Sequence, residues 1–200
     1  LDLHHEYKAS SDPSVRAEEQ MVASSNFGAR EVKVVVDKLY KSFDSSIFSC
    51  YNKPFTAVDR VSYAIDDGEL MCMLGHNGAG KTTTINMLTG MLPITSGDAY
   101  VFGHSAKYDM SSIREIMGIC PQHDILWDQL TGKEHLQLFA GLKGMNPTEI
   151  EEEALKRLEQ VELLHVADVQ AQAYSGGMKR RLSLAIALIG DPKVVILDEP

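Results

Sequence analysis

The sequence predicts an α/β fold that carries an inserted helical subdomain, and three patterns lead to that prediction. Apolar runs of strand length alternate with helix-forming segments on both sides of a purely helical stretch. A glycine-rich turn at Gly75–Thr82 joins one apolar run to a helix-forming segment. Another apolar run, Lys193–Leu197, ends in the carboxylates of Asp198 and Glu199. Alternating strands and helices favour a parallel sheet with ligands at the carboxyl ends of its strands.

Size and composition limit the class of protein. The chain has 200 residues, enough for one domain with a substantial core. It is 44% hydrophobic and 24% charged, typical of a globular protein, and no apolar run reaches the roughly eighteen residues of a membrane span. The net charge of −9 argues against nucleic acid as the main partner. The chain begins with Leu rather than Met, so we expect an internal piece of a longer protein.

The first part of the chain predicts a linker followed by strands. Residues 1–31 are polar and lack sustained periodicity, which indicates a linker or tether with a short helix at 14–24. Apolar and β-branched runs then predict three strands, at Val32–Phe43, Phe55–Ile65 and Glu69–Leu74. The Ser- and Asn-rich residues 44–54 predict a loop.

The elements after the glycine-rich turn return to the predicted core. A helix is expected from Lys81 onward. Shorter patterns predict a strand at Ala99–Phe102, a helix at Ser111–Met117 and a strand at Gly118–Cys120.

Three helices are predicted between this strand and the carboxylate-ended run. Thr131 and Glu134 form a capping box, and Asn146, followed by Pro147 at the first helical position, predicts a second cap. A third helix is expected over 178–189, directly after Ser175-Gly176-Gly177. We therefore predict a domain over 32–200, with an α/β core at 32–124 and 178–200 and a helical subdomain at 125–177.

The cysteines predict no metal site. Cys50, Cys72 and Cys120 share no metal-ligand spacing, and Cys72 and Cys120 lie in apolar, strand-like runs. We expect them to be reduced and buried.

The glycine-rich turn fits the pattern G-x-x-x-x-G-K-[ST]. Its glycines, Gly75 and Gly80, let the backbone bend so that N–H groups point at phosphate oxygens. The helix that follows directs its positive end at the same place. Lys81 is expected to reach the β- and γ-phosphates, and the Thr82 hydroxyl to ligate Mg²⁺. The alternative is an ordinary glycine-rich turn between a strand and a helix.

The run that ends in carboxylates supplies a second expected component of such a site. Asp198 would hold the coordination shell of Mg²⁺. Glu199 would accept a proton from the attacking water. A structural ion pair is the alternative for an isolated Asp-Glu, and the upstream phosphate loop favours catalysis.

Four motifs in this order resemble the nucleotide-binding domain of ABC transporters. They are Gly75–Thr82, Pro121-Gln122, Tyr174-Ser175-Gly176-Gly177-Met178 and Leu197-Asp198-Glu199-Pro200. Finer features, including Cys120-Pro121-Gln122-His123 and Met178-Lys179-Arg180-Arg181, resemble the A subfamily, whose usual cargo is lipid. The resemblance implies a P-loop NTPase fold of the ABC ATPase type, incomplete at its carboxyl end.

The resemblance also implies roles for individual residues. Phe43 would stack on the adenine of ATP, with Tyr40 as the alternative residue for that role. The rest of the ATP would be held by the loop residues Gly75, His76, Asn77, Gly78, Ala79, Gly80, Lys81, Thr82 and Thr83. Gln122 would contact Mg²⁺ and the attacking water, and Glu199, Gln122 and Lys81 would be the catalytic residues. Ser175, Gly176 and Gly177 would contact the γ-phosphate held by a partner domain. Met178 departs from the Gln usual in the wider family, which leaves the details of that contact open.

The partners and the setting follow from the same resemblance. They are a second nucleotide-binding domain and the membrane-spanning domains of one transporter, at the cytoplasmic face of a membrane. The alternatives are a soluble ABC protein acting on ribosomes or DNA, and a regulatory module that binds nucleotide without hydrolysing it. Because the family's segments after Glu199 are absent from these 200 residues, we expect this chain alone not to hydrolyse ATP at a transporter-like rate.

Overall fold

The computed structural model of the chain describes residues 12–43 and 54–199. The predicted loop at 44–54, apart from Pro54, and with it Cys50, lies outside the described residues. The chain forms two compact units, one that ends at Met110 and one that begins at Ser111. The division into linker, core and helical subdomain stays a prediction.

The first unit is built on an antiparallel sheet. Its strands are β1 (Val32–Phe43), β2 (Phe55–Asp66), β3 (Ser96–Val101) and β4 (His104–Ser105), in the order β2-β1-β3-β4. Val36 of the central strand β1 lies opposite Tyr63 on one side and Ala99 on the other. Val36 and Ala99 are fully buried, so the middle of this sheet forms the core of the unit. Helix α2 (Lys81–Leu88) packs against β2.

The short helix predicted at 14–24 is present as α1 (Pro13–Ser24). The Asp12 side chain caps it by accepting from the Ser14 N–H at 2.8 Å. Glu18 accepts from the backbone N–H of Ala64 in β2 at 2.9 Å and pairs with Arg30. These contacts fasten α1 to the sheet.

The predicted strand at Glu69–Leu74 is wrong, because the structure shows no regular element between β2 and α2. Leu70 and Leu74 are 87% and 90% exposed, and Cys72, expected to be buried, is exposed as well. An apolar run becomes a strand only when its backbone groups pair with a neighbouring strand. Among the described residues no strand pairs with this segment.

The second unit combines a parallel strand pair with helices. It contains most of α3 (Met110–Ile116), then β5 (Met117–Cys120), α4 (Gly132–Leu142), α5 (Ile150–Gln160), α6 (Gly176–Ala187) and β6 (Val194–Leu197). β5 and β6 are parallel, with Met117 opposite Val194 and Cys120 opposite Leu197. Cys120 is buried, as expected, whereas Val195 and Leu197 are more than one-third exposed. The predicted parallel pairing is therefore confirmed in this unit.

The two predicted helix caps differ in outcome. At α4 the capping box is present: the Thr131 hydroxyl accepts from the Glu134 N–H at 3.1 Å, and Glu134 accepts from the Thr131 N–H at 2.8 Å. The prediction that Asn146 caps the next helix is wrong, because α5 begins only at Ile150. The Asn146 side chain instead accepts from the N–H and hydroxyl of Thr148, which closes a turn before the helix.

The helices of this unit share one apolar core, formed by Leu136, Ala140, Ala154, Leu158, Val161, Leu163, Ala167, Tyr174, Leu182, Ala185 and Ile189. Polar links join these helices to strand β5 and to the segment that precedes β6. The Lys143 ammonium donates to the Met117 carbonyl at 2.9 Å, and Arg157 bridges Glu153 and Asp191. No helix among the described residues is long and apolar enough to cross a bilayer.

The packing of α6 on β5 predicts a steric effect at Gly118. A Cβ there would lie 1.9 Å from the Ala187 carbonyl oxygen, a backbone atom that cannot move aside alone. We expect Gly118→Ala to lower the free energy of unfolding by about 1–3 kcal/mol, measured by urea denaturation. Gly141→Ala is the matched control, because its Cβ would meet nothing within 4 Å and Ala favours a helix. Equal stability of Gly118→Ala and the wild type would contradict this packing.

Candidate nucleotide-binding site

The phosphate-loop segment in the first unit is closed by its own hydrogen bonds. The Ala79 N–H donates to the His76 carbonyl at 3.1 Å. The Lys81 ammonium donates to the Gly75 carbonyl at 2.6 Å and to the His76 carbonyl at 3.2 Å. The positive charge of Lys81 is thereby held against the loop.

Gly80 is fixed by both conformation and space. Its φ is +91°, in the left-handed region, and a Cβ would lie 2.4 Å from the Ala57 carbonyl oxygen of β2. Only glycine meets both conditions. Gly78 also has positive φ, +83°, although the bend was predicted at Gly75 and Gly80. The fixed motif left this position open, so the pattern alone gave no signal for it.

The amino end of α2 has backbone donors without an acceptor inside the helix. Its first helical hydrogen bond runs from the Thr84 N–H to the Gly80 carbonyl at 2.8 Å. The N–H groups of Lys81, Thr82 and Thr83 precede that bond and so have no acceptor within the helix. Together with the helix dipole and the Lys81 ammonium, they suit the phosphates of a nucleotide. The exposed Thr82 hydroxyl is a hard oxygen of the kind that Mg²⁺ prefers.

The aromatic candidates lie at the end of β1. Phe43 is 39% exposed, and the Lys41 ammonium lies 5.1 Å from its ring centroid. Tyr40 is half-buried, with the Arg60 guanidinium 5.7 Å from its ring and its hydroxyl 3.2 Å from the Thr56 hydroxyl. Phe43 is therefore the more exposed of the two residues, which favours it for stacking on a base.

The second unit brings together the other predicted catalytic residues. Gln122 follows β5 and Glu199 follows β6, and the Gln122 amide donates to the Glu199 carboxylate at 2.8 Å. The Asp198 N–H donates to the Cys120 carbonyl at 2.9 Å, which extends the strand pairing by one residue. Because parallel strands end at the same edge, Gln122, Asp198 and Glu199 share one site.

Arg180 of α6 supports this edge and was not singled out from the sequence. Its guanidinium donates to the backbone carbonyls of Pro121, Asp198 and Glu199 at 2.5, 2.9 and 2.7 Å. The basic run Lys179-Arg180-Arg181 was the available signal. It could not identify which side chain matters, because backbone carbonyls are acceptors that no residue type marks.

The Ser-Gly-Gly motif forms the start of α6. The Ser175 hydroxyl accepts from the Met178 N–H at 3.3 Å and caps the helix. Gly176 and Gly177 are exposed, and a Cβ on either would meet nothing within 4 Å. This helix end therefore presents donors and open space to an anionic ligand.

A buried histidine holds the loop after Gln122. His135 is fully buried, with Nδ1 2.8 Å from the Thr131 carbonyl, to which it donates, and Nε2 accepting from the Trp127 N–H at 2.9 Å. The Trp127 ring stacks on the imidazole. Only the neutral ring can accept at Nε2, so protonation would release Trp127.

Comparison with known proteins agrees with a P-loop ATP-binding domain. A family model described as "ABC transporter" matches residues 58–200. "ABC transporter A family member 2" from Arabidopsis thaliana is 54% identical over 149 residues, covering 74% of this chain and 15% of the relative. "ABC transporter A family member 1" from Dictyostelium discoideum is 43% identical over 189 residues, covering 94% and 21%.

A solved structure gives the same result. It is the dimeric, post-hydrolysis state of the ATP-binding cassette MJ0796 bound to ADP and Pi, with a TM-score of 0.73 and 25% identity, covering 82% of this chain and 73% of that one. The chain is thus a P-loop ATP-binding module. It belongs to the ABC transporter family, with relatives in the A family, and the predicted fold class is confirmed. The chain spans about a fifth or less of the length of these curated relatives.

The His135 contacts predict a pH dependence of stability. Burial lowers the pKa of His135 below its ordinary 6.5, outweighing the Thr131 carbonyl and the Glu134 charge, which raise it. Below about pH 6.5 the unfolded chain therefore binds a proton that the folded chain excludes, so stability falls as the pH falls. We expect the thermal midpoint to drop between pH 7.5 and 5.5, and to drop less in His135→Gln.

His165→Gln is the control for that experiment, because His165 is exposed in the same unit. It should keep the wild-type pH dependence. An identical drop in His135→Gln and the wild type would show that His135 is not responsible.

Proposed function

We propose that the chain is the ATP-hydrolysing module of a membrane transporter. Transport would be driven by the ATP-dependent pairing of two such domains. The observation that carries the proposal is the hydrogen bond between Gln122 and Glu199 at the carboxyl edge of the β5–β6 pair. It puts a candidate base beside a residue able to orient water. The phosphate loop and the membership of the ABC transporter family support ATP as the nucleotide that this site binds.

ATP binding is assigned to the first unit. The N–H groups at the start of α2 and the ammonium of Lys81 bind the β- and γ-phosphates. Phe43 stacks on the adenine. Thr82 in this unit, and Gln122 and Asp198 in the second unit, are the residues proposed to hold Mg²⁺, which would neutralise charge that develops on the phosphates.

Hydrolysis is assigned to Glu199 and Gln122. The Glu199 carboxylate takes a proton from water while the water oxygen bonds to the γ-phosphorus, and the bond from that phosphorus to the β,γ-bridging oxygen breaks to leave ADP. The Gln122 amide holds the carboxylate through the 2.8 Å hydrogen bond. Such general-base help is worth about 10²–10⁴ in rate.

The partner domain would complete the site. Ser175 and Gly177, at the open start of α6, contact the γ-phosphate of a nucleotide held by a second domain. The dimeric state of the MJ0796 structure supports this arrangement. The names of the A-family relatives support a place in a transporter. The membrane-spanning domains, the cytoplasmic membrane face and the lipid cargo are proposed from the subfamily resemblance of the sequence motifs.

Two substitutions in the full-length protein separate binding from chemistry. Lys81→Ala should abolish ATP turnover and weaken ATP binding, because it removes the charge beside the phosphates. Glu199→Gln should keep ATP binding and lower kcat by about 10²–10⁴, because the amide accepts from Gln122 but is not a base. Lys107→Ala removes an exposed lysine and should change neither. Turnover that survives Glu199→Gln would mean that another group is the base.

The 200-residue chain alone should not hydrolyse ATP at a transporter-like rate. Among the described residues no strand pairs with the segment leading into the phosphate loop, and Leu70 and Leu74 are exposed, so strand pairing does not fix the amino end of the loop. Phosphate release by the purified chain should match that of its Lys81→Ala variant. Steady turnover that this variant abolishes would refute the expectation.

A further inference from the structure

Arg180 lies on the helix whose start is proposed to contact the partner's nucleotide, and its side chain contacts the two segments that carry the proposed hydrolytic residues. Arg180 lies five residues after Ser175 on the same continuous helix, α6. Its guanidinium binds the carbonyl of Pro121, just before Gln122, and the carbonyls of Asp198 and Glu199. Its Nη1 also lies 3.4 Å from an Asp124 carboxylate oxygen.

Arginine suits this role for geometric reasons. A planar guanidinium offers five donors in a fixed fork, so one side chain can hold several acceptors at set angles. Here the acceptors belong to the two segments that follow β5 and β6. A lysine ammonium carries the same charge but cannot reproduce the fork.

Arg180 also contacts a residue, Glu199, whose backbone conformation is unusual. Glu199 has a φ of +50°, in a region that residues other than glycine seldom adopt. Such conformations persist only where surrounding contacts impose them. The 2.7 Å bond from Arg180 to the Glu199 carbonyl is such a contact, and in this conformation the Glu199 carboxylate meets the Gln122 amide.

The neighbouring basic residues have different contacts. Lys179 lies 3.7 Å from Asp128, and Arg181 donates to the Val161 carbonyl at 3.0 Å and lies 3.6 Å from Glu162. The link between α6 and the Gln122–Glu199 pair is therefore specific to Arg180 within this basic run.

We propose that Arg180 is a positioning residue that couples the Ser175–Gly177 turn to the Gln122–Glu199 pair of the same chain. This inference rests on the proposed function, in which the turn contacts a nucleotide held by the partner domain and the pair acts on a nucleotide held by its own domain. Helix α6 and Arg180 then connect the two ATP sites. In this arrangement the Arg180 side chain transmits the presence of nucleotide at one site to the base at the other.

The test uses the full-length protein with Arg180→Lys, and Arg181→Lys as the matched control on the same helix. We expect Arg180→Lys to lower kcat about 10- to 100-fold, while KM and the Kd for a fluorescent ATP analogue change less than about twofold. Hydrogen exchange in nucleotide-free protein should be faster at residues 119–124 in Arg180→Lys. Arg181→Lys should show neither effect.

A double-mutant cycle tests the coupling itself. If Arg180 connects the sites, the loss of turnover caused by Ser175→Ala should be smaller in the Arg180→Lys background than in the wild type. Independent, additive losses would overturn the coupling, and unchanged kcat and exchange in Arg180→Lys would overturn the positioning role. If the wild type fails to hydrolyse ATP, the proposed function fails, and hydrogen exchange still decides whether Arg180 positions the segment.

Discussion

The parallel pairing of β5 with β6 is the constraint on which the candidate hydrolytic residues depend. Gln122 and Glu199 are 77 positions apart in the chain and meet only because the two strands end side by side. Helix α6 packs closely on β5, and Gly118 permits this packing by leaving room for the Ala187 carbonyl. The position of the candidate base thus depends on one strand pair, and the helix beside that pair can pack closely only because residue 118 has no side chain.

The phosphate loop also depends on few side chains. Its donors are backbone N–H groups at the start of α2, and its one fixed charge is the Lys81 ammonium. Gly80 lets the backbone pass within contact of the Ala57 carbonyl, which ties the loop to the antiparallel sheet. The second unit, in contrast, presents its candidate residues as side chains, Gln122 and Glu199 at the edge of the strand pair and Arg180 beside them.

The sequence predicted most of what depends on local patterns. The strand at β1, the capping box at Thr131 and the start of α6 beside Ser175 were all readable, because propensity and hydrogen bonding within a few residues determine them. The run at Glu69–Leu74 was misread because a strand needs a partner that local sequence does not show. Asn146 was misplaced because the same side chain can close a turn or cap a helix. Arg180 was not singled out because its acceptors are carbonyls.

The exposed apolar side chains have a consequence for the chain in solution. Leu70 and Leu74 in the first unit, and Val195 and Leu197 in the second, present surface that favours contact with other molecules. The net charge of −9 opposes such contact by mutual repulsion between copies. Dissolved salt weakens that repulsion and leaves the apolar attraction in place. We therefore expect association between copies of the chain to increase with ionic strength.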